Sequence, residues 1–107
     1  MNRDNENFDK AARRMKEEIR QEARKDSKIV NDTARKLKHK TKEDFRQYRD
    51  MMRNADSYFA EDYVSEVKQQ MKDTRKAIDE NAEKQRKEIR NQAKKDIEII
   101  RDLEEED

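Results

Sequence analysis

Apolar residues recur along this chain at a helical interval. Phe8, Ile19 and Val30 stand eleven residues apart, and so do Ala12, Ala23 and Ala34. Met15 and Leu37 supply a third row, interrupted by Asp26. In the second half Val67, Ile78, Ile89 and Ile100 keep the same interval in step with Phe45, and Met71, Ala82 and Ala93 run beside them. Eleven residues over three turns is about 3.67 per turn, close to the 3.6 of a straight helix, so the stripe stays on one face. The pattern predicts an all-α chain with two long amphipathic arms.

Where the arms meet is set by residues 45 to 67. This stretch holds five of the six aromatic residues, together with Met51 and Met52. At its centre lies Asn54-Ala55-Asp56-Ser57, the most turn-like run of the sequence. The expected fold is a long antiparallel helical hairpin, a two-helix coiled coil with eleven-residue repeats. It forms a single helical domain over 1–107, with arm 1 at about 6–53, a turn at about 54–57 and arm 2 at about 58–103. Glu61 and Asp62 then fall in the first turns of arm 2, after a cap at Asp56 or Ser57. Two alternatives stay open. Thr41, followed by Glu43 and Asp44, has the features of a helix N-cap and would yield a three-helix bundle. Asn31-Asp32-Thr33 is a weaker interruption, because the stripe keeps its phase across it. A straight antiparallel helical dimer would satisfy the same pairing.

That pairing can be made specific. When facing residues have numbers adding up to about 111 to 112, large side chains meet alanines in successive layers, which lets two helices interdigitate evenly. Ala12 meets Ile100, Ile19 meets Ala93, Ala23 meets Ile89, Val30 meets Ala82 and Ala34 meets Ile78. A second regularity is an echo. Ile19-Arg20-Gln21-Glu22-Ala23-Arg24-Lys25-Asp26 returns as Ile89-Arg90-Asn91-Gln92-Ala93-Lys94-Lys95-Asp96. Convergence of a low-complexity helical sequence accounts for it more simply than duplication.

Composition sharpens the picture. Only 30% of residues are apolar and 51% are charged, too few for a thick globular core. The polar residues are mostly Lys, Arg, Glu and Gln, which favour helix, and neither Gly nor Pro occurs to interrupt one. The formal net charge of +1 conceals an asymmetry. Residues 1–53 hold 17 Lys and Arg against 11 Asp and Glu, and residues 54–107 hold 11 against 16. Opposed arms are therefore complementary in charge. The ends, 1–6 and 104–107, carry no seam residue and are expected to fray.

Candidate chemistry is sparse. His39 is the one histidine, set among cations with no nucleophile or acid beside it at functional spacing. No cysteine is present, and no glycine loop exists to hold phosphate. The expectation is no enzyme, no cofactor and no metal. The interaction candidates are Phe45, Tyr48, Met51, Met52, Tyr58, Phe59 and Tyr63, because adjacent pairs such as Met51 and Met52 cannot both enter one seam. Arg35, Lys36, Lys38, Lys40 and Lys42 form a basic patch, balanced in the hairpin by acids such as Asp73, Asp79 and Glu80. The function expected is that of a non-enzymatic structural or adaptor protein acting through helix–helix contacts with a protein partner or a second copy. The alternatives are an amphipathic binder of anionic lipid surfaces and nucleic-acid binding through 35–42. Met1 to Lys10 lacks the apolar core of a signal peptide and no stretch is long enough to span a membrane, which sets the expectation of a soluble intracellular chain.

Short stretches resemble known helical proteins. Ala82-Glu83-Lys84-Gln85-Arg86-Lys87-Glu88-Ile89-Arg90-Asn91-Gln92-Ala93 is similar to segments of rotary ATPase peripheral stalks, which implies a helical strut. Size and layout are similar to the helical hairpins of type VII secretion, and Tyr58 and Asp62 fit a Tyr-x-x-x-Asp spacing. The Trp-x-Gly turn of those hairpins is missing, and no family follows from either likeness.

Overall fold

The computed structural model describes residues 3–54 and 60–105, with side chains described over 7–54 and 61–105. Two helices account for all of them: α1, Arg3–Asn54, and α2, Ala60–Glu105. They pack against each other as an all-α helical hairpin. The described ends lie beyond the expected arms, at Arg3 and Glu105. Ala55, Asp56 and Ser57 of the expected turn lie outside the described residues, and Asn54 is helical.

Local chemistry explains why α1 is continuous. Strong helix formers fill it, and the weak points are satisfied from within. Thr41 does not cap a new helix; its Oγ1 donates to the Leu37 carbonyl at 2.9 Å, so the hydroxyl is satisfied inside the turn. Asn31, Asp32 and Thr33 are helical as well. The three-helix alternative therefore fails, as does the straight dimer, since the two helices of one chain pair with each other. Glu61 and Asp62 sit in the first turn of α2 and Arg53 in the last turn of α1, each of the sign that the helix dipole favours. Surface pairs support the helices along their length: Gln69 Nε2 donates to Asp73 Oδ1 and Gln92 Nε2 to Asp96 Oδ1, both at 3.0 Å.

Packing divides the chain into two compact units, residues 1–30 with 84–107 (the outer unit) and residues 31–83 (the inner unit). The buried residues of the outer unit are Ala12 and Ile100, and those of the inner unit are Ala34 and Ala82. In each unit an ion pair crosses from one helix to the other. Lys16 Nζ lies 2.7 Å from Glu104 Oε1 in the outer unit, and Lys38 Nζ lies 2.8 Å from Asp79 Oδ1 in the inner one.

The buried residues of the outer unit, Ala12 and Ile100, have numbers adding up to the expected 112, whereas the cleft linings centre on a shifted register. A cleft in the outer unit is lined by Ile19, Glu22, Ala23 and Asp26 of α1 and by Ile89, Gln92, Ala93 and Asp96 of α2. Matched end to end, Ile19 is level with Asp96 and Asp26 with Ile89, so facing numbers add up to about 115, roughly one helical turn from the expected pairing. The inner-unit cleft repeats this: Thr41, Asp44, Phe45 and Tyr48 lie across from Thr74, Met71, Gln70 and Val67. Carried along the inner unit, the same register brings Ala34 level with Ala82, the two buried residues there. Both are alanines, small enough to let two helices approach closely. The expected register optimised large against small in every layer and gave no weight to such an approach.

Candidate interaction surface

The echo in the sequence is the pair of walls of the outer cleft. The segments 19–26 and 89–96 lie antiparallel, each contributing Ile and Ala to the floor and Asp to the rim. The cleft encloses about 230 Å³ and is open to solvent. Its lining includes three carboxylates, Glu22, Asp26 and Asp96, and not one cation, although 28 of the 107 residues are Lys or Arg. Asp26 and Asp96 are half-buried.

Helical spacing places the exposed apolar residues beside this cleft. Ile29 comes seven residues after Glu22 and three after Asp26; Ile99 comes seven after Gln92 and three after Asp96. Both isoleucines are exposed, at 56% and 59%. Met15, four before Ile19, and Leu103, four after Ile99, extend the row and are also exposed. Lys16 and Glu104 bond across the helices on the other side of the seam. The outer unit thus has one flank closed by an ion pair and one flank apolar with an acidic rim.

The described members of the aromatic cluster belong to the inner unit. Phe45 and Tyr48 are half-buried and line its cleft of about 410 Å³. Met52 is half-buried, whereas Met51 and Tyr63 are exposed. Met51 comes seven after Asp44, and Tyr63 seven before Gln70, which sets both on the cleft side. Tyr58 and Phe59 lie outside the described residues. In the basic run, Arg35, Lys36, Lys40 and Lys42 are exposed, and half-buried Lys38 is paired with Asp79. His39 is exposed. Among the described residues, no group of three or more His, Cys, Asp or Glu could hold a metal ion, and no helix is long and apolar enough to cross a membrane.

Sequence reasoning passed over Ile29 and Ile99. The signal was available in the doublets Ile29-Val30 and Ile99-Ile100, since neighbours about 100° apart on a helix cannot both enter a two-helix seam. Ile100 is buried and Ile99 exposed accordingly. Comparison with protein-family models, curated proteins and solved structures gives no match.

Proposed function

We propose that this chain is a non-enzymatic structural or adaptor protein that works through helix–helix contacts with a protein partner. The observation that carries this reading is the apolar surface that the hairpin leaves uncovered. Eight large hydrophobic residues are exposed among the described residues, while four residues, three of them alanines, are buried. In the outer unit the apolar flank carries an acidic rim, which suits a protein surface better than anionic lipid or nucleic acid, both of which demand cations.

Photo-crosslinking side chains placed at Ile29, Ile99 and Tyr63 test the reading, with exposed Arg90 as the reference position. Protein adducts at the three apolar sites above the level at Arg90 are expected. Adducts to lipid or nucleic acid in their place, or none above the reference, overturn it.

A further inference from the structure

We propose that the outer cleft docks one amphipathic helix of a partner protein whose apolar stripe is flanked by Lys or Arg. This rests on the adaptor reading and names the partner's chemistry.

Shape comes first. The floor is Ile19, Ala23, Ile89 and Ala93, a shallow apolar trough between two antiparallel helices. Small residues at its centre let a third helix approach closely, and the open volume of about 230 Å³ seats projecting side chains from that helix. Ile29 and Ile99 extend the apolar surface on either side. A helix lying here reads its partner through anchors at i, i+3, i+4 and i+7, the spacing of the trough itself.

Charge then selects the occupant. Asp26 and Asp96 stand half-buried beside apolar side chains, and Asp26 occupies a position where Met15, Leu37 and Tyr48 continue the α1 row. Asp96 accepts a hydrogen bond from Gln92, and the only charged residues lining the cleft are acidic. A carboxylate held against apolar surface is stabilised by an incoming cation, and a helix with Lys or Arg beside its stripe delivers one to each rim. A second copy of this chain would not. A two-fold contact sets each patch on itself, bringing Glu22, Asp26 and Asp96 against their own equivalents, and like charges so juxtaposed oppose association.

The test uses the full chain and two labelled synthetic peptides. Both carry the same Leu and Ala stripe at i, i+3, i+4 and i+7; one has Lys and Arg on its flanks, the other Glu. Fluorescence anisotropy should show the basic peptide binding at least about tenfold more tightly than its acidic twin, with affinity falling as salt rises. Asp26→Asn with Asp96→Asn should weaken the basic peptide at least about tenfold. Glu98→Gln with Asp102→Asn, which removes the same charge from exposed positions outside the cleft, should leave it nearly unchanged. Ile29→Gln, an exposed substitution that leaves the seam intact, should weaken both peptides. Equal affinity for the twins, equal loss in the two charge variants, or a chain that sediments as a dimer and ignores both peptides overturns the proposal. Failure of the peptides while Ile29 still crosslinks to protein removes this partner chemistry alone; loss of the crosslinks as well removes the adaptor reading with it.

Discussion

The outer and inner units are built on one seam geometry and filled differently. Each has a cleft with four residues from each helix at i, i+3, i+4 and i+7, in the same register. In the outer unit the lining is Ile and Ala with three carboxylates. In the inner unit it is Phe45, Tyr48, Val67 and Met71 with two threonines and a single carboxylate, Asp44. The spacing of apolar positions sets where the helices meet, and the side chains at those positions set the chemistry of each cleft. Phe, Tyr and Met reach across a two-helix seam and contribute area on both sides of it. Ile and Ala line the outer cleft beside Asp26 and Asp96, and Asp there forgoes apolar burial that a leucine would supply. The larger inner cleft, about 410 Å³, is lined by bulky side chains and one carboxylate, and the smaller outer cleft, about 230 Å³, by smaller apolar side chains and three carboxylates.

The largest effect that would break this comparison lies in the outer unit. Ile100 is 6% exposed and Ile99 is 59% exposed, one residue apart on the same helix. Ile100→Ala should destabilise by about 2 to 5 kcal/mol, and Ile99→Ala by under about 0.5 kcal/mol, in urea unfolding followed by circular dichroism. Equal losses would show that the seam of the outer unit is misplaced by one residue.

The next effect concerns the alanine layer of the inner unit. Ala34→Leu and Ala82→Leu should each lower stability by about 1 to 3 kcal/mol through overpacking. Because the register sets them level, the double variant should depart from additivity by more than about 0.5 kcal/mol. Strictly additive losses would favour the register one turn away, in which Ala34 faces Ile78.

A smaller and opposite effect is expected in the outer cleft. Asp26→Leu, restoring the apolar row of Met15, Leu37 and Tyr48, should raise stability by about 0.5 to 2 kcal/mol while weakening a basic helical peptide. A destabilised Asp26→Leu variant would mean that the carboxylate supports the hairpin itself.

The ion pairs come last. Lys38 and Asp79 keep side-chain exposures of 32% and 57%, so solvent screens them, and Lys38→Met should change stability by no more than about 0.2 to 1 kcal/mol, less in high salt. Lys16 and Glu104, at 16% and 24%, should show the weaker salt dependence of the two pairs. A reversed ranking would show that exposure does not control these pairs.

Much of the fold was legible in the order of residues alone. The interval between Ile19 and Val30, or Ile78 and Ile89, specifies a helix with one apolar stripe. The absence of Gly and Pro lets that helix run, and a polar run at the midpoint of the chain with opposite charge on either side specifies an antiparallel return. The split between half-buried Met52 and exposed Met51 was legible as well, because such neighbours point apart on any helix.

Tertiary structure decided the register, and with it the site. Sequence spacing repeats every turn or so, and a slide of about one turn keeps apolar against apolar throughout, so periodicity cannot choose among such slides. Packing of one helix on the other chooses, and it buries Ala34 and Ala82 in the inner unit. That slide sets Asp26 across from Ile89 and Ile19 across from Asp96, turning a repeated octapeptide into the two walls of one acidic, apolar-floored cleft. A single helix carries half of such a cleft, and only the packing of the second helix supplies the other half.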